Sequence, residues 1–197
     1  MVIKKELIQE LCLFDDALFG EVARHIPAME ELVSICLKKN IKLVEIVSQR
    51  SFRNLLGRSV VLDLYCKDER GKIFHVEIQR SNDTDFQKRM RYNRALIDTE
   101  CHHKGADYRE LPEIYSLLIS EFDVLKKGEM LYYIDRIERN SKEIQNNGIH
   151  EIYINAKNAD NSRYGHSGKT CSRHWYRSWL YSCLSAFKQY LQKGHYD

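Results

Sequence analysis

The sequence predicts an α/β fold, a mixed β-sheet flanked by helices, and three observations carry that expectation. Two short β-rich runs, 59–67 and 72–79, are joined by turn chemistry that ends in Gly71. Three later apolar runs, 113–122, 130–137 and 149–155, read as further strands. Amphipathic stretches with helical spacing precede and separate these runs, giving the order αα-β-ββ-α-β-β-β.

Taken in order, residues 4–13 and 16–39 read as helices. Leu18, Val22, His25 or Ile26, Met29, Leu32, Val33, Cys36 and Leu37 recur at helical spacing, and Asp15 and Asp16 suit an N-terminal turn. Pro27 divides or kinks the second stretch. A strand is expected over 42–47, then a polar connection carrying Arg50, Arg53 and Arg58. After the paired runs, 84–104 reads as a helix with Asp83 or Asn82 as N-cap and Gly105 as its stop. Phe86, Met90, Asn93 and Ile97 share one of its faces. No internal repeat is visible.

The paired runs fix a register. With Glu69-Arg70-Gly71 as a three-residue loop and Gly71 in the left-handed position, Asp68 faces Lys72. Counting back pairs Tyr65 with His75 and Asp63 with Glu77. Directly opposed residues point to one face with Cβ atoms about 4.5–5.5 Å apart, and Gln79, two residues on, shares that face. Two carboxylates so placed in an apolar hairpin repel each other unless a cation lies between them. Paired oxygen ligands suit Mg2+, with Mn2+ as a substitute.

Composition narrows the classes. The 197 residues suit one domain over 1–160 with an appended tail over 161–197. No apolar run reaches the length of a membrane span, and the first residues do not read as a signal peptide. The six cysteines form no CxxC pair, which argues against a zinc ribbon or a disulfide framework and for a cytoplasmic location. Of 31 basic and 28 acidic residues, six bases and one acid follow residue 160. That leaves 25 bases against 27 acids in the body, a net of −2, so the basic excess of the chain belongs to the tail. The body is not a generic polyanion binder.

A carboxylate pair holding a divalent cation can polarise a phosphoryl oxygen, acidify bound water and stabilise the leaving oxygen. Asp63 is the expected bridging ligand, Glu77 the second, and the carbonyl of Ile78 points to the same place. Gln79 can orient an attacking water but, being neutral, cannot act as a base. On the helix that follows, Lys88, Arg89, Arg91 and Arg94 cluster, and Lys88, Arg89 and Arg91 are expected to hold phosphates without reading sequence. The plainer reading is a half-exposed strand whose acids are solvated. Asp63, on a face with Val61 and Tyr65, fits that less well than Glu77 does.

These residues also resemble a known family. Leu62-Asp63-Leu64, Lys67-Asp68-Glu69-Arg70-Gly71-Lys72 and Phe74-His75-Val76-Glu77-Ile78-Gln79 resemble the motif of the PD-(D/E)XK nuclease family transposases, the recombination-promoting nuclease group. Leu13-Phe14-Asp15-Asp16-Ala17-Leu18-Phe19-Gly20 resembles the N-terminal Asp-Asp-x-x-Phe segment of that family. The basic helix from Phe86 to Asp98 and the Gly105-Ala106-Asp107-Tyr108 segment with Leu111-Pro112 are similar too. The likeness runs from about Leu13 to Asn161. It implies a restriction-endonuclease-like core and metal-dependent DNA cleavage, with Asp63 and Glu77 as ligands and Gln79 in the place of the superfamily lysine. It also implies an acid from the first helix, Asp16 in preference to Glu21. After Asn161 the motifs stop, and the tail departs from the acidic, helical ending of the family.

The remaining candidates are weaker. Cys101-His102-His103 lacks a second ligand pair at zinc spacing and reads as a helix end. His75 reads as a cross-strand packing partner of Tyr65 before it reads as a proton carrier. In the tail, Trp175, Trp179, Cys183, Phe187 and Leu191 recur every fourth residue. They suit a helix docked on the body, a cationic DNA-contacting arm, or a divergent or frame-shifted terminus. The expected partner is DNA, with a homo-oligomer left open and no membrane. The competing functional reading is a nuclease fold without catalysis that serves as a DNA-binding or protein-interaction module.

Overall fold

The computed structural model describes residues 19–20, 22–54, 57–82 and 85–156. The helix expected over 4–13, the acid Asp16 and its alternative Glu21, and the tail with its expected helix and boundary at 160 lie outside the described residues. Six strands form one sheet: β1 Leu43–Phe52, β2 Val60–Asp68, β3 Ile73–Gln79, β4 Ile114–Ser120, β5 Leu131–Ile134 and β6 Ile149–Asn155. Their order across the sheet is β1-β2-β3-β4-β6-β5. The pairs β1–β2 and β2–β3 are antiparallel, β3–β4 and β4–β6 parallel, and β5–β6 antiparallel, so the sheet is mixed.

Two helices, α1 (Ile26–Leu37) and α2 (Phe86–Cys101), cover opposite faces. Because strand side chains alternate, each strand feeds both. Leu64, Cys66, Phe74, Val76, Ile78, Leu117 and Ile152 pack with Met29, Leu32 and Val33 of α1. Tyr65, Ile73 and Ile114 pack with Ile97 of α2, and Leu118 and Tyr153 with its Phe86 and Met90. The central strands are therefore buried on both sides. That is why His75 and Glu77, on the α2 face of β3, lie in the interior although they are polar.

The hairpin follows the expected register near its turn, but its ladder stops at Leu64–Val76, one position before the expected Asp63–Glu77 pair. Tyr65 pairs with His75 and Lys67 with Ile73. The Asp68 N–H donates to the Lys72 carbonyl (3.0 Å), and Gly71 N–H donates back to the Asp68 carbonyl (3.0 Å). Asp68 Oδ1 also accepts from the N–H groups of Arg70 (2.9 Å) and Lys72 (2.8 Å), tying the loop from within. Gly71 has φ +77°, with open space where a Cβ would stand. Gly71→Ala should therefore cost about 1–2 kcal/mol through the left-handed backbone alone. Urea denaturation would show this as a lower midpoint with an unchanged slope.

Several boundaries differ from expectation. The strand expected over 42–47 runs on to Phe52, taking in part of the supposed polar connection. As an edge strand, β1 needs apolar residues on one side only. There Arg50 Cζ lies over the Tyr65 ring, 3.9 Å from its centroid, and Phe52 is buried. Pro27 opens α1 in its first turn, where a missing N–H costs nothing, and does not kink a longer helix. The N-cap of α2 is Asp85 in place of Asp83 or Asn82, its carboxylate accepting from Lys88 N–H (3.1 Å). The last turn ends at Cys101, short of Gly105. The fifth strand is only four residues, since the chain leaves the sheet after Ile134 for a separate turn closed by Ile137 and Ile144.

Candidate active site

Asp63 stands where β2 parts from β3 and where the β1–β2 pairing skips one position. The β2–β3 ladder ends at the Leu64–Val76 pair. One step further, Leu62 would exchange backbone hydrogen bonds with Ile78. Instead the Ile78 N–H donates to Asp63 Oδ2 (2.9 Å), so a side chain replaces the missing strand. Against β1 the register runs through Ser48–Leu64 and Arg50–Leu62, skipping the residues between. The skipped β1 residue, Gln49, has φ +53°, a left-handed backbone rare outside glycine. The left-handed residue of β1 and the parting from β3 thus meet at one aspartate.

In an extended strand, the N–H and C=O of one residue point to the same edge. The Ile78 carbonyl therefore shares the edge of its N–H, towards Asp63. Gln79 faces the other way through its backbone, its carbonyl accepting from Glu121 N–H (3.1 Å) on the β4 side. Burial, and next the charge of Glu77, push the Asp63 carboxyl up to about 6, against the Ile78 N–H and the Arg89 guanidinium. The two carboxylates are thus close enough for one to disfavour ionisation of the other.

Glu77 is held at both oxygens. Its side chain is only 1% exposed. His75 Nε2 lies 2.8 Å from Glu77 Oε1, and the Arg89 guanidinium donates to Oε2. Arg89 is thus committed to the site, where the sequence suggested a DNA-backbone contact beside Lys88 and Arg91. The reason is helical geometry: Arg89 precedes the buried Met90 and leans towards β3 from the rim of the packed face, while Lys88 and Arg91 lie exposed. Lys88 pairs locally with Asp85 at 3.0 Å. Arg94, one turn on, pairs with Glu151 of β6 at 2.6 Å, and Tyr153 Oη donates to the same carboxylate at 2.7 Å.

The structure therefore brings together Asp63, Glu77, the Ile78 backbone and Arg89, with His75 beneath them. Gln79 is half-buried at the open end of β3. His75 was legible as a neighbour of the site but not as a partner of Glu77. The signal was its i,i+2 spacing on one strand face. At the far end of α2, His102 is the C-cap and stacks on Tyr108 at 4.9 Å, which suits the helix-end reading of Cys101-His102-His103. Burial pushes the Cys36 and Cys66 thiols up to about 12, so both are inert fillers of the α1 face.

Comparison with protein families bears on this arrangement. A family model described as PD-(D/E)XK nuclease family transposase matches residues 17–190. The chain belongs to that family. The mixed six-stranded sheet with a helix on each face is the restriction-endonuclease-like α/β core that the motifs implied. The match also continues past Asn161, where the motif likeness stops, and so takes in most of the basic tail. No curated protein and no solved structure matched the chain. Among the described residues, no helix is long and apolar enough to cross a membrane.

The donor set can be tested against a divalent cation. Asp63, Glu77 and the Ile78 carbonyl offer hard oxygens only, and the thiol of Cys66 belongs to the opposite face. Among the described residues, no group of three or more His, Cys, Asp or Glu side chains could hold a metal. Two carboxylates with a carbonyl suit Mg2+, which keeps several waters, and do not suit a closed zinc site.

Proposed function

We propose that this family member is a Mg2+-dependent DNA endonuclease acting in recombination or transposition. The observation that supports this most directly is the parting of β2 from β3, which frees the Asp63 carboxylate beside Glu77 and the Ile78 backbone. Asp63, Glu77 and the Ile78 carbonyl would hold the cation, with Mn2+ able to replace Mg2+. When bound, it would supply Lewis-acid activation of a phosphodiester and of water. Gln79 orients the attacking water by hydrogen bonding and carries no charge to the transition state. Lys88 and Arg91 on the exposed face of α2 position the DNA backbone, and Arg89 serves the carboxylates first. Asp16 is proposed as the further acid from the first helix.

Plasmid nicking tests the reading. Cleavage that needs Mg2+ or Mn2+, stops with chelator and disappears in Asp63→Ala is the expected result. Equal nicking by wild type and Asp63→Ala would assign the activity to a contaminant.

One observation favours the second reading, a non-catalytic nuclease fold that binds DNA or a protein. Arg89 already neutralises Glu77. That reading requires salt-sensitive DNA binding which survives the loss of both acids, with no cleavage under any divalent ion.

A further inference from the structure

Glu77 and His75 lie two residues apart on one face of β3, and the imidazole reaches along the strand to the carboxylate. An ionised carboxylate only accepts hydrogen bonds, so Nε2 carries a proton, and in the neutral imidazole Nδ1 is then an acceptor. That Nδ1 is buried with no partner, as is the Ser116 hydroxyl. The strand register places the two residues side by side, since His75 of β3 pairs with Ser116 of β4. The two make no direct hydrogen bond, so the hydroxyl is the donor at hand for Nδ1 through one buried water. Such a donor fixes the tautomer that Glu77 needs.

We propose that His75, backed by Ser116, is a positioning residue that sets the rotation of the Glu77 carboxylate for metal binding. This rests on the reading of Glu77 as a ligand. The carboxylate is gripped from two directions, by His75 from the strand and by Arg89 from α2. Each oxygen keeps a second lone pair for a cation. Without His75, Arg89 alone would orient the carboxylate, drawing it towards the helix.

The test measures Mn2+ binding to the full chain by calorimetry, without DNA. His75→Leu fills the space without a donor, whereas His75→Gln places an amide N–H near the position of Nε2–H. His75→Leu should bind Mn2+ about 10–100-fold more weakly than wild type, the usual effect of losing a group that orients a metal ligand. His75→Gln should recover most of that loss, and Glu77→Ala should bind weakest. Binding by His75→Leu as tight as wild type, or equal losses in His75→Leu and His75→Gln, would overturn the positioning role while leaving Glu77 a ligand. Equal binding by wild type and Glu77→Ala would remove the metal reading itself, and this inference with it. Should His75→Leu not fold, the imidazole tautomer of the wild type decides by 15N NMR. Nε2–H supports the proposal, and Nδ1–H overturns it.

Discussion

Replacing Asp63 with asparagine is expected to abolish metal-dependent cleavage while making the protein harder to unfold at neutral pH. A ligand that supplies several kcal/mol of charge stabilisation in the transition state corresponds to about a thousandfold or more in rate. Stability moves the other way. The Asp63 carboxyl titrates at about 6 in the fold against 3.8 for an unperturbed aspartate, chiefly from burial and then from Glu77. The folded state therefore holds this proton more tightly than the unfolded chain does. Its contribution to stability is complete below about pH 4 and is lost as pH rises through about 6. The loss amounts to as much as ~3 kcal/mol. Asparagine does not titrate, and its amide oxygen can still accept from Ile78 N–H. Melting temperatures measured between pH 4 and 8 should show wild type and Asp63→Asn separating over pH 4–6 and staying apart above it. Mg2+ at pH 8 should raise the wild type only. Parallel pH curves for the two proteins would mean that the carboxylate is not buried against a like charge.

Arg89→Met should be the most destabilising change at the site. It leaves a carboxylate that is 1% exposed with one remaining partner, His75. Removing one partner of a buried ion pair costs about 3–5 kcal/mol, and the partial exposure of Arg89 argues for about 2–3 kcal/mol here. Saturating Mg2+ should recover more stability in the variant than it adds to wild type, because a second cation then faces Glu77. The double variant Arg89→Met/Glu77→Gln should return close to wild type, since no buried charge is left uncompensated. An Arg89→Met protein as stable as wild type would show that Arg89 is not the countercharge of Glu77.

The sequence was most legible where short-range chemistry decided the geometry. The turn from Asp68 to Lys72, closed by Gly71, set the hairpin register before any tertiary contact was considered. The apolar period of Phe86, Met90, Asn93 and Ile97 likewise identified the buried face of α2. What could not be read was where regular pairing stops. Nothing in Val60–Asp68 announces that β2 leaves β3 at Asp63, and the left-handed Gln49 opposite it lies in a strand that looked too polar to extend so far. The role of Arg89 escaped for a similar reason. Four bases in one helix look alike in sequence, and only the packing of Met90 decides which one turns towards the sheet.

That packing also governs how the site can change state. Met90 is sunk between the sheet and α2, so the helix cannot roll to carry Arg89 outward without emptying part of the core. Arg89 can leave Glu77 only by turning about its own side-chain bonds, a motion far faster than the microseconds to milliseconds of a domain movement. Trading one positive group for another on Glu77 is thus a local rearrangement with no slow subdomain movement behind it, and binding of a divalent ion should proceed without a lag.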